Sequence, residues 1–174
     1  MNGNVADTIH IRDAHPDDIS GVVALIETCG PYLTKHGAFL YLIYTRYFGD
    51  TCAVAVMKGK IVGWFSVLPV TPRSYFIHQL GIAPEARGCG VAIALFAHLI
   101  DKLHARHGND FRLEFTADRR NAAVHRLNRK VAEAFQMYFR KLPETVPPLD
   151  DGCDEELYEM TPLREPVESV RLAA

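Results

Sequence analysis

Hydrophobic and polar positions change their period several times along the 174 residues. Thr8–Arg12 alternates and predicts a first strand. Turn residues and an N-cap fill Asp13 to Asp18, after which Ile19, Val22, Val23, Leu25 and Ile26 recur at helical spacing until Gly30-Pro31 ends them. Ala38–Phe48 predicts a second helix, with Phe39, Tyr41, Tyr44, Tyr47 and Phe48 as an aromatic stripe suited to a core. Thr51–Met57 and Lys60–Leu68 are apolar strands around a Lys58-Gly59 hairpin turn. Pro69–Pro72 reads as a looser turn into a strand over Ser74–Ile82. A glycine-rich turn follows, then a long apolar helix (Val91–His104), a strand (Phe111–Thr116) and a helix (Asn121–Ala134). Phe135–Lys141 and Glu155–Thr161 close the pattern as strands around a Pro/Asp-rich loop, and the tail after Pro162 is expected to fray.

This order, β-α-α-β-β-β-α-β-α-β-β, predicts one α+β layered domain over 1–174, its core spanning about 8–161, with a mixed sheet and helices on both faces. The length suits a single domain that buries its own core, and 48% hydrophobic with 23% charged residues is ordinary for a globular protein. A net charge of −2 leaves no electrostatic footprint for nucleic acid or an anionic membrane surface. The mostly apolar run Val91–Ile100 is too short to span a membrane, and the first residues lack the charge and apolar run of a secretory signal. Cys29, Cys52, Cys89 and Cys153 stand far apart with no C-x-x-C pair, which predicts reduced thiols in the cytoplasm rather than a disulfide or zinc framework.

The candidate chemistry centres on Gln79-Leu80-Gly81-Ile82-Ala83-Pro84-Glu85-Ala86-Arg87-Gly88-Cys89-Gly90-Val91-Ala92. A strand runs into a glycine-rich turn, and a helix with no capping side chain starts at once. Small residues at 88, 90 and 92 let a ligand approach the backbone amides at that helix N-terminus, a site for a pyrophosphate. The dinucleotide pattern G-x-G-x-x-G fails at Ile93, and the Walker Gly-Lys-Ser/Thr is absent.

Arg87-x-x-Gly90-x-Ala92 does satisfy R/Q-x-x-G-x-G/A, and with the element order it resembles the GNAT superfamily of acetyl-coenzyme A-dependent N-acetyltransferases over Ile9 to Met160. The resemblance implies a GNAT fold with a splayed central strand pair and acetyl-CoA as co-substrate. Arg87, Gly88, Cys89, Gly90, Val91 and Ala92 would hold its pyrophosphate, Leu80, Gly81 and Ile82 its pantetheine through main-chain groups, and Asn121 would lie near it. Asn121 reads equally as an N-cap. Phe48–Ala55, Gly59–Ser66, Leu113–Asp118 with Asn121, and Asp154–Tyr158 are similar to the L-2,4-diaminobutyrate acetyltransferases of ectoine biosynthesis. Their acceptor segment Asp-Leu-Asn-Ser-x-Tyr is here Thr34-Lys35-His36-Gly37-Ala38-Phe39, and their strand carries Trp where this chain has His78. The cofactor half is thus kept and the acceptor half altered. Homodimers are common in the superfamily, so a homodimer is the expected assembly.

Acetylating an amine requires that it first lose a proton, since its reference pKa is near ~10.4. Glu114, within the apolar strand Phe111–Phe115, is the first base candidate, or else a carboxylate on the solvent face of an alternating strand. His78 is an acceptor-site base or a core histidine, on the face of Phe76 and Leu80. Phe39 and Glu156 are expected to contact the acceptor amine, though Glu156 reads as well as an edge charge. The superfamily's general-acid tyrosine falls at Asn128, leaving Tyr158 or Tyr138 to substitute, or the thiolate unassisted. His104 and His107 complete no metal site, so no metal is expected; they suit a helix C-terminus instead. Cys89 is read as incidental and alkylation-sensitive. Arg119, Arg120, Arg126, Arg129 and Lys130 form either a 3′-phosphate contact or a solvated helix face. Three readings result: transfer of acetyl to a small amine or diamino acid, transfer to a protein or peptide amine, and a non-catalytic acyl-CoA sensor.

Overall fold

A computed structural model describes residues 8–147 and 154–163; Cys153, part of the Pro/Asp-rich loop and the tail from 164 lie outside these. The strands are β1 (His10–Asp13), β2 (Ala53–Met57), β3 (Lys60–Thr71), β4 (Ser74–Ile82), β5 (Arg112–Asp118), β6 (Met137–Thr145) and β7 (Glu155–Pro162). The helices are α1 (Ile19–Ile26), α2 (Ala38–Tyr47), α3 (Val91–His107) and α4 (Ala122–Ala134). The sheet order is β1-β2-β3-β4-β5-β7-β6, antiparallel throughout except for the parallel β4–β5 pair, which α3 connects. The element order expected from the periodicity is the order found.

Several boundaries differ by a few residues, among them β6, which starts at Met137 rather than Phe135 and runs on to Thr145, and one difference falls at a proline. β3 runs through Pro69 to Thr71, and the turn shrinks to Pro72-Arg73. The reason lies in the ladder: β2 pairs with β3 only as far as Phe65, so beyond it β3 has a free edge. A proline at such an edge removes no ladder hydrogen bond.

Two apolar layers enclose the sheet. On one face Phe65 meets Phe96 of α3 at a ring distance of 4.8 Å, and Gly63 lets α3 come so close that an added Cβ would lie 3.0 Å from Val91 and 3.1 Å from Leu95. On the other face Trp64, wholly buried, packs edge-on against Tyr41 and Tyr44 of α2. Within the aromatic stripe Tyr41 and Tyr44 are therefore core and Phe48 packs partly buried against it, whereas Phe39 and Tyr47 are exposed, so the stripe is not the all-core face expected. Burying rings of this size contributes several kcal/mol, of order 1.5–3 for a large apolar side chain. No described helix is long and apolar enough to cross a membrane.

Two irregularities in β4 set up everything that follows. Its parallel pairing with β5 covers only Ser74↔Arg112 to Ile77↔Phe115, after which the strands part. Its pairing with β3 steps from Ser66↔Gln79 to Val67↔Ile77, which leaves His78 as the extra residue of a bulge.

Candidate active site

A cleft of about 1060 Å³ opens where β4 leaves β5. β4 lines it from Phe76 to Ile82, the start of α3 closes one end, α4 forms a wall through Val124, Leu127 and Asn128, and the α1–α2 connection forms another through Tyr32, Thr34 and His36. Beyond Ile77 the β4 backbone has no ladder partner on the β5 side, so its amide groups are left for whatever occupies the cleft.

The glycine-rich turn stands at the cleft's end. A short 3-10 turn over Pro84–Ala86 delivers the chain to Gly88 and Gly90, at φ 78° and 79°, and α3 begins at Gly90 with no side-chain cap. This left-handed backbone is one that side chains rarely adopt. A Cβ at either glycine would meet no protein atom within 4 Å, so it would project into open space. The first α3 amide bonded within the helix turn is that of Ala94, to Gly90 O at 3.0 Å. Amides before it carry the partial positive charge of a helix N-terminus. This turn, on a parted strand pair, is where a pyrophosphate fits.

The sequence model of the acetyltransferase (GNAT) family matches residues 21–131. The chain belongs to the GNAT acetyltransferase family. It is 33% identical over 137 residues to the L-2,4-diaminobutyric acid acetyltransferase of Halomonas elongata, covering 77% of this chain and 70% of that protein. To the enzyme of the same name from Chromohalobacter salexigens it is 34% identical over 139 residues, with the same 77% and 70% coverage. It also superposes on diaminobutyrate acetyltransferase EctA from Paenibacillus lautus, solved with its substrate L-2,4-diaminobutyric acid and coenzyme A. The TM-score is 0.77 at 26% identity, over 93% of this chain and 99% of that one.

Within this GNAT fold most of the cofactor-side residues lie together. Leu80, Gly81, Ile82, Arg87, Gly88, Gly90, Val91, Ala92 and Asn121 all line the cleft. Arg87 folds back so that its Nε donates to Ile82 O at 3.2 Å. Cys89 is exposed and outside the lining, and its amide is held by Ala86 O, so it offers the cleft neither thiol nor N–H. Asn121 caps α4, its Oδ1 accepting from Val124 N at 3.2 Å, while still facing the cleft. Of the basic cluster only Lys130 lines the cleft; Arg119 pairs with Asp154 and Arg120 with Asp118.

The acceptor-side residues divide differently. His78 lines the cleft from the bulge, stacked on Tyr44 at 5.3 Å and against His36 at 5.1 Å. Its Nδ1 is buried without a partner, and burial, aided by the neighbouring His36, pushes its pKa down to about 4. The bulge separates it from Leu80: Leu80 pairs with Phe65 on the α3 face, whereas His78 lies on the α2 face. The simple alternation that put them together does not survive an inserted residue.

Glu114 does not line the cleft. Its carboxylate forms an ion pair with the Arg112 guanidinium, Nε lying 2.9 Å from Oε1, because residues two apart on a strand share a face. Glu156 is also outside, held by Lys141 Nζ and Tyr158 OH at 2.6 Å each, which keep its pKa low. Its neighbour Glu155 faces the cleft instead, opposite Asp118 in the β5–β7 register. Phe39 is 73% exposed, on the opposite side of α2 from Tyr41. Neither Tyr138 nor Tyr158 lines the cleft; Tyr158 is pushed up to about 12 by burial and by its bond to Glu156.

Three lining residues escaped the sequence analysis as site candidates. Asn128 is 3% exposed with Nδ2 unpartnered, and Gln79 is equally buried with Oε1 unpartnered while its Nε2 donates to Thr34 O at 2.7 Å. His36 is the third. Asn128, seven residues after Asn121, has a signal in helical spacing; Gln79 and His36 have none. Among the described residues no cluster of three metal-binding side chains exists. His104 Nδ1 lies 3.1 Å from Gly108 O and His107 Nε2 2.8 Å from Tyr75 OH.

Proposed function

We propose that this protein transfers the acetyl group of acetyl-CoA to the primary amine of a small amino compound of the diaminobutyrate kind. The observation that carries it is the coincidence, in one cleft, of an uncapped glycine turn that suits a pyrophosphate and a neutral histidine on the strand where the sheet parts. The relatives named above support the amino-acid character of the acceptor.

Acetyl-CoA supplies the activated thioester. The chain's own part is to bind and to orient. Amides of the Gly88–Ala92 turn other than that of Cys89 donate to the diphosphate, and the unpaired β4 backbone after Ile77 gives an extended chain its hydrogen bonds. A buried Nδ2 on Asn128 points to an acceptor brought by the ligand, because an unmatched buried N–H costs about 1–3 kcal/mol. His78 stays uncharged above about pH 4, so its ring accepts a hydrogen of the amine without repelling it as a cation would. An apolar wall that solvates an ammonium poorly favours the free amine, the form that attacks. On this reading Glu114, outside the cleft lining and paired with Arg112, is not the group that meets the amine; His78 is. Our reading includes a cytoplasmic homodimer, whose dimeric state sedimentation of the purified chain tests.

Thiol release from acetyl-CoA over a panel of small amines, with calorimetric coenzyme A binding alongside, is the experiment. Turnover on L-2,4-diaminobutyrate or a close relative is expected. Coenzyme A binding with no turnover on any small amine overturns the small-acceptor assignment in favour of a peptide acceptor or a sensor. Failure to bind coenzyme A overturns the whole reading.

A further inference from the structure

Two places at which the sequence departs from the diaminobutyrate acetyltransferase pattern are 42 positions apart, His36 in the acceptor segment and His78 on β4. In the fold they touch. Their rings lie 5.1 Å apart at 34°, both line the cleft, and Tyr44 stacks on the far side of His78 at 5.3 Å. The β4 bulge turns His78 toward α2, and the backbone N–H of His36 is held by Tyr41 OH at 3.4 Å, so each ring is placed by the core behind it.

The charges around this pair are arranged in one sense. Of the α1–α2 connection, Tyr32, Thr34 and His36 face the cleft and no carboxylate does. Lys35, next in sequence, is turned outward and paired with Glu27. Arg87 lies back on Ile82 O. The cleft's carboxylates, Asp118 and Glu155, stand across it on β5 and β7, and Asp118 is held by Arg120. His36 is therefore the group that can present a positive charge, or a ring N–H, from this wall. The two imidazoles are tilted against each other rather than stacked, and the more deeply buried His78 is kept neutral by that burial and by its neighbour.

We infer that His36 is a specificity-determining residue which holds a carboxylate of the acceptor, so that the substrate is an amino acid whose amine reaches His78 while its carboxylate meets His36. This rests on the acetyltransferase reading above and narrows it: a simple diamine, lacking the carboxylate, is a poor substrate. The two departures then form one rebuilt acceptor wall rather than two separate losses.

Three acceptors that share the carbon spacer bearing the reacting amine separate the contributions: L-2,4-diaminobutyrate, 4-aminobutyrate, which lacks the second ammonium, and 1,3-diaminopropane, which lacks the carboxylate. With the full chain, kcat/KM from thiol release is expected to be roughly ten- to a hundredfold lower for 1,3-diaminopropane than for either carboxylate-bearing acceptor, the range of a charge-assisted hydrogen bond. His36→Ala should raise KM for the two carboxylate-bearing acceptors by that factor with kcat little changed, and leave 1,3-diaminopropane as it was. His36→Arg, which keeps a hydrogen-bond donor for the carboxylate, should restore most of the discrimination. Equal use of 1,3-diaminopropane by the unaltered protein overturns the inference and leaves acetyl transfer standing. So does a His36→Ala variant that slows all three acceptors alike, the result expected of a purely structural residue. No thiol release with any of the three overturns the inference and the small-acceptor reading together.

Discussion

Replacing Gly90 by alanine separates backbone strain from ligand binding, provided Gly59 is replaced in parallel. Both residues hold left-handed backbone, at φ 79° and 73°. A Cβ at either would find no protein atom within 4 Å, so neither substitution creates a clash inside the protein. The cost of each is the left-handed strain of a non-glycine residue, about 1–2 kcal/mol. For a chain of this length that lowers Tm by ~2–8 °C, at ~2–4 °C per kcal/mol. Here the equivalence ends. Gly59 lies in the β2–β3 turn, far from the cleft lining, whereas Gly90 lines the cleft and opens α3. A methyl group at Gly90 occupies the approach to the amides that the diphosphate needs. Gly90→Ala should thus weaken coenzyme A binding by at least about tenfold, or ~1.4 kcal/mol, measured by calorimetry. Gly59→Ala should lose a similar few degrees in a thermal melt and bind coenzyme A normally. If Gly90→Ala also binds normally, or if Gly59→Ala loses affinity to the same degree, the pyrophosphate assignment of this turn is wrong.

Other perturbations test the remaining joints. His78 ionises at about 4 in the folded protein against 6.5 when free, so unfolding takes up a proton between those values. Its contribution to stability is complete above pH 6.5 and is lost as the pH falls toward 4; His78→Gln should flatten a denaturant-derived stability profile across that window. Asn128→Leu removes a buried unpartnered N–H while keeping the branching of the side chain. It should leave Tm unchanged or slightly higher while raising KM for acetyl-CoA, and a marked fall in Tm would make Asn128 a structural residue instead. Gly63→Ala places a Cβ 2.8 Å from that of Ala55 and 3.0 Å from Val91. It should cost about 1–3 kcal/mol by overpacking between β3 and α3, read from urea denaturation, and full stability would show that α3 can shift.

Much of this architecture is legible one residue after another. The helix over Ile19–Ile26, the Lys58-Gly59 hairpin and the turn leading into α3 all follow from short-range periods and from glycine where a side chain is strained. Pro69 misled, because a proline reads as a turn unless the neighbouring strand is known to have stopped at Phe65. Glu114 and Glu156 were drawn toward the site by residue type, but each has a basic partner, Arg112 two residues away on the same strand face and Lys141 across the β6–β7 pair. Phe39 followed its aromatic neighbours in the pattern and left them in space, since a helix turns adjacent rings to different sides.

What the sequence determined by itself was the order of the elements and the glycine turn that opens α3, since both depend on interactions within a few residues along the chain. What only the tertiary structure decided was the acceptor wall. A single inserted residue, His78, reverses the faces of β4 beyond it and brings that ring onto His36. No local period records that contact, because it depends on where α2, β3 and β4 come to rest against one another.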